Sequence, residues 1–176
     1  MFKTKINVIE SLASVQADKI LLTFFAMLVI PILFHMIPSR GPYPIGAVWL
    51  PIFYAPLFSS IVYKRHVAIT SCIISPWINT FFTGMPRLEI ASKLSFELIV
   101  FAVFAQIIFH SKRYCRFVGF IAFVFAKVFS YLIIYFLSER FELSNMFSEL
   151  TLALPGIFVL LIIGLFSKNI TERLNK

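Results

Sequence analysis

Charge is what this chain has least of. Only 14% of its 176 residues are Asp, Glu, Lys or Arg, against about 25% in soluble globular domains, which is too few for a water-facing shell. Cysteine is scarce too. Cys72 and Cys115 both fall in or beside apolar segments, which predicts packing thiols and excludes a disulfide framework or a cysteine-based metal site. His35, His66 and His110 stand far apart, so no histidine ligand set forms, and no metal or cofactor is expected. The chain has no H-E-x-x-H, no G-x-S-x-G, no paired acidic cluster and no glycine-rich phosphate loop. Each of these absences removes a class of chemistry, from zinc peptidase to nucleotide hydrolase. The first residues lack a short apolar core ending in a small-residue cleavage site, so no cleaved signal peptide is expected. No internal repeat or low-complexity segment is visible.

What remains is apolar. Hydrophobic residues make up 60% and aromatic residues 17%, with a mean hydropathy of +0.91, the composition of an integral membrane protein. Charges and prolines mark off six apolar stretches, at about residues 20–37, 47–63, 67–82, 91–109, 117–137 and 150–166. Each is near the about 17–25 residues that cross a bilayer. The expected fold is an all-α, six-transmembrane-helix bundle in one domain. Residues 1–18 either lie on the membrane as an amphipathic segment, with Ile6, Val8, Ile9, Leu12 and Ala13 on one face, or extend the first helix inward. If the ends and the even-numbered loops share one side, that side holds eleven Lys and Arg residues. The other side holds four, Arg40, Arg87, Lys93 and Arg140. The positive-inside rule then puts both termini in the cytoplasm and the protein in the cytoplasmic (inner) membrane. The net charge of +8 follows from that orientation and from anionic lipid headgroups, and calls for no nucleic acid.

Polar residues inside the apolar stretches carry the functional signal. From Ser75 to Pro86 the chain reads S-P-W-I-N-T-F-F-T-G-M-P, so Pro76 is expected to break the third helix while Gly84 and Pro86 end it. Irregular backbone at membrane depth is tolerated only when buried in protein or lining a cavity. Glu97 lies within the fourth stretch, where an ionised group costs about 2.5–3.5 kcal/mol on insertion scales. Lys127 in the fifth stretch is its obvious partner, and Gln106, Ser130 and Tyr131 are further candidates. Trp49, Trp77, Asn79 and Arg87 map to the same outer half. Together these residues resemble a pocket with aromatic walls and a few polar groups. Arg40, Arg87 and Lys93 at its mouth favour an acidic ligand. Pro38, Pro42 and Pro44 stiffen a first outer loop, and Pro51 and Pro56 would bend the second helix near its outer end.

In order, Leu50-Pro51 entering a helix, a short basic hairpin, Ser75-Pro76, Thr83-Gly84-Met85-Pro86 and Phe96-Glu97-Leu98 resemble the substrate-binding S-components of energy-coupling factor (ECF) transporters. The resemblance covers roughly residues 49–104. It implies a non-enzymatic subunit that captures a vitamin or related micronutrient at the outer face; the pocket read from the residues themselves would then be lined by Trp49, Trp77, Asn79, Arg87, Glu97 and Lys127. It also implies a transmembrane coupling protein and two cytoplasmic ATPases as partners, the ATPases doing the hydrolysis. The chain departs from that family's pattern in having no glycine from Ala47 to Thr83. The alternative from a different class is a non-catalytic membrane scaffold of a cell-envelope assembly complex, whose polar residues hold helices together.

Overall fold

The computed structural model describes residues 2–38, 43–63, 65–84, 86–111, 115–138 and 143–174. Arg40, Pro42, Lys64, Met85, Lys112, Arg113 and Arg140 lie outside the described residues, as do the side chains of the apolar face expected at Ile6 to Ala13. Among the described residues every regular element is helical: α1 (Phe2–His35), α2 (Ile45–Trp49), a 3-10 turn at Pro51–Phe53, α3 (Tyr54–Val62), α4 (Arg65–Thr83), α5 (Leu88–His110), a second 3-10 turn at Cys115–Phe117, α6 (Val118–Ser138), α7 (Leu143–Leu152) and α8 (Leu154–Leu174). Among the described residues, three spans are long and apolar enough to cross a membrane: Ala17–His35, Leu88–His110 and Cys115–Ile133. A fourth is reached if Met146–Leu152 and Leu154–Phe166, bent by 64°, count as one. The chain is a helical membrane protein. At 19 residues α4 matches the shortest of these spans in length, but its serines, threonines and Asn79 dilute its apolarity.

Residues 2–18 continue α1 without a break. Pro76 does not break α4 as the sequence suggests. The helix runs through it to Thr83, because one proline removes a single i to i−4 bond while packing on α1 and α5 holds both sides. The stop comes at Gly84, whose φ of 70° no L side chain adopts cheaply. Its N–H closes the last turn on the Thr80 carbonyl at 2.9 Å. In the second apolar stretch the break falls at Leu50, left-handed at φ 53° and ψ 41°, just before Pro51. Pro56 sits in the first turn of α3, where its missing N–H costs nothing.

Small residues let the helices approach. Ala91, Ala102 and Ala105 of α5 and Ala122 and Ala126 of α6 are buried, the pattern by which membrane helices pack without a hydrophobic driving force. Phe53 plugs the centre, edge-on to Phe101 at 5.1 Å and to Phe123 at 5.2 Å. Gly156 of α8 has no room for a side chain, since a Cβ there would lie 2.6 Å from the Trp49 carbonyl. That close approach pins the kink between α2 and the 3-10 turn against α8. The large apolar side chains facing outward, such as Leu21, Phe25, Phe81 and Phe136, suit a lipid surround.

Candidate functional site: a cavity ending in a buried charge cluster

The cavity starts from two proline-bearing helices. Pro31 lies inside α1 and has no N–H, so the carbonyl four residues back, at Met27, loses its helical donor. Asn79 on α4 supplies a replacement, its Nδ2 donating to the Met27 oxygen at 3.2 Å. Ser75, one turn earlier on the same buried face, points its Oγ at the Met27 sulfur at 3.6 Å. Asn79 is therefore buried at 4% exposure for a structural reason, and it also faces open space. It borders a cavity of about 570 Å³.

Among the described residues, α1, the α2 region with the first 3-10 turn, α4, α5, α6 and α7 all contribute to that cavity. Pro31 and His35, one turn apart, come from α1; Pro44, Gly46, Ala47 and Leu50 to Phe53 come from the α2 region. Thr83, Pro86 and Arg87 form the α4 to α5 connection at its rim. Ile90, Lys93, Leu94 and Glu97 follow at the three- and four-residue intervals that put them on one face of α5. Lys127 of α6 and Glu149 and Leu152 of α7 close the inner end.

The inner end is a chain of ion pairs. Glu97 is only 2% exposed, and Lys127 Nζ lies 3.1 Å from its Oε2. The same Nζ is 2.8 Å from Glu149 Oε2. Lys93 reaches Glu149 Oε1 at 3.1 Å and Glu97 Oε1 at 3.9 Å. Tyr131 hydrogen-bonds Glu149, and its ring faces the Lys93 ammonium at 4.5 Å. Two lysines thus balance two glutamates, which is the condition for ions to persist at such burial. Arg87 adds one positive charge at the rim, exposed and with no partner among the described residues.

Of the six residues read from the sequence, Asn79, Arg87, Glu97 and Lys127 line the cavity, and Trp49 and Trp77 do not. Trp77 is 44% exposed because two residues turn an α-helix by about 200°, setting it opposite Asn79. Trp49 is 41% exposed; its backbone packs on Gly156 and accepts the Tyr54 hydroxyl while the indole points away. The expected aromatic walls are replaced by proline and aliphatic ones, with Phe53 and His35 the aromatic rings among the described lining residues. Gln106 pairs with Arg65 at 2.9 Å, nine residues along α5 from Glu97, and Ser130 is buried without bordering the cavity.

Glu149 was not among the residues read from the sequence. It stands one residue before the apolar stretch that begins at Leu150, so hydropathy alone leaves it in a loop. Charge counting carries the missing signal: Lys93 and Lys127 cannot both be neutralised by Glu97, and a second carboxylate is required. No family model matches this chain, and no curated protein or solved structure matches it.

Proposed function

We propose that this protein is the substrate-binding subunit of an importer of the ECF type, capturing a small vitamin-like molecule at the outer face of the cytoplasmic membrane. The observation that carries the reading is the cavity of about 570 Å³, a ligand-sized space within the about 300–1,000 Å³ of known sites. The sequence suggests a cover made of Pro38 to Leu50 and Thr83 to Ile90; from these segments Pro44, Gly46, Ala47, Leu50, Thr83, Pro86, Arg87 and Ile90 line the cavity, with the ionisable groups at its other end. On this reading there are six crossings. These are α1 from Ala17, the kinked unit from α2 to α3, α4, α5, α6, and the bent pair α7 and α8. Both termini then face the cytoplasm, as the basic residues suggest. The partners are a transmembrane coupling protein and two cytoplasmic ATPases.

The test is isolation of the tagged protein in mild detergent from its own cells. Co-isolation of a coupling protein with two ATPases, together with ATP-dependent uptake that fails in Arg87→Ala, supports the importer. Isolation with envelope-synthesis proteins and no ATPase overturns it. One observation favours that second, scaffold reading: the charges of Lys93, Glu97, Lys127 and Glu149 satisfy each other and tie α5, α6 and α7 together with no ligand.

A further inference from the structure

The four charges of the cluster are not equally fixed. Lys93 and Glu97 sit one turn apart on α5, and Lys127 sits on α6, two long helices packed against each other through small residues. Those three groups sum to one positive charge, two lysines less one glutamate. The balancing carboxylate, Glu149, comes from α7, a ten-residue helix that packs chiefly on α8 and joins it at a 64° bend. Glu97 is 2% exposed in its side chain, whereas Glu149 is 39% exposed and borders the cavity. The rigid part of the bundle is therefore a monoanion site, and its present occupant is a side chain carried on a short, hinged helix.

We infer that the cavity takes an aliphatic monocarboxylate, whose carboxylate replaces Glu149 between Lys93 and Lys127 and so releases α7. Buried charge sets the rule of exchange: Lys127, 9% exposed, needs a counter-ion beyond Glu97 whenever Lys93 is also charged, and one anion at a time fits. Glu149 spans both lysines with its two oxygens, Oε1 at 3.1 Å from Lys93 and Oε2 at 2.8 Å from Lys127. A free carboxylate has the same two-oxygen geometry, and Arg87 at the rim attracts it on entry. The chain behind it would lie against Pro31, Pro51, Ile52, Ile90 and Leu94, surfaces that reward apolar area without the flat faces that grip an aromatic ring. Because ligand and Glu149 compete for one place, binding and the docking of α7 are linked, and occupancy reads out as a change in α7.

This inference rests on the cavity being a ligand site, and the test separates the two. Dissociation constants are measured by calorimetry on detergent-solubilised protein with hexanoate, hexanamide and acetate as probes, for the full chain and for Glu149→Gln. Removing the internal competitor should tighten hexanoate by about tenfold or more, leave hexanamide within about twofold, and leave acetate the weakest of the three for want of a chain. Adding Lys93→Gln should cancel the gain. In the unaltered protein, which needs no variant to fold, saturating hexanoate should speed amide hydrogen exchange across residues 146–152, and hexanamide should not. If hexanamide binds but hexanoate is no tighter in Glu149→Gln, or exchange in α7 is unmoved, the anion exchange is overturned and the cavity stands. Acetate binding as tightly as hexanoate overturns the aliphatic assignment. If no probe binds either protein, the inference falls together with the reading of the cavity as a site.

Discussion

Replacing Asn79 by leucine should destabilise the protein through a carbonyl on another helix. The Nδ2 of Asn79 is the donor that Met27 receives in place of the N–H missing at Pro31. In Asn79→Leu, an apolar side chain of similar size remains in the same place, but the Met27 oxygen is left buried and unpaired. A stranded buried acceptor costs about 1–3 kcal/mol. The cost should shrink below about 1 kcal/mol when Pro31→Ala is introduced first, because residue 31 then has an N–H that reaches the Met27 carbonyl within the helix. The coupling between the two sites is therefore expected at about 1–2 kcal/mol. Reversible unfolding of the solubilised protein by dodecyl sulfate titration, followed by far-ultraviolet circular dichroism, measures all four corners of the cycle. If Asn79→Leu costs the same with proline or alanine at residue 31, the carbonyl is not what Asn79 serves.

The same assay addresses the charge cluster. Lys127→Met leaves Glu97 buried with its nearest cation at 3.9 Å and should cost about 3–5 kcal/mol. Glu97→Gln should cost less, since Lys127 keeps Glu149 at 2.8 Å. The double variant should be closer to the unaltered protein than Lys127→Met is, and simple additivity would refute the pairing. Gly156→Ala should cost about 1–3 kcal/mol because its Cβ meets the backbone of Trp49 at 2.6 Å. A melting temperature unchanged in that variant would contradict the close approach of α2 and α8. Gly84→Ala has open space around it but a φ of 70°, so its cost should be only the left-handed strain of about 1–2 kcal/mol.

The helices were legible because apolar stretches in a membrane protein have few alternatives to helix, and because ionisable residues inside them must find one another. Glu97 and Lys127 could be paired from the sequence on that ground alone. The kink at Leu50 was harder. Pro51 and Pro56 announced a bend, but its place is set by Gly156, about a hundred residues away, which lets α8 press on the Trp49 backbone. The two tryptophans misled because an aromatic ring in an apolar chain suits a lipid face as well as a cavity. Helical phase separates the two cases at Trp77, which stands opposite Asn79. Glu149 was hidden by the hydropathy boundary at Leu150, although the charge sum of Lys93, Glu97 and Lys127 called for it. Pro76 shows the reverse error: a proline within a well-packed helix removes one bond and need not end the helix.

Native mass spectrometry of the protein, released from detergent after gentle isolation from its own membranes, tests most directly whether the cavity is a binding site. The account predicts a bound molecule of vitamin-like mass that carries a carboxylate, present on the unaltered chain and lost from Arg87→Ala and Lys127→Met variants that remain folded. A chain that arrives bare from every preparation, or a bound molecule retained in both variants, would contradict it.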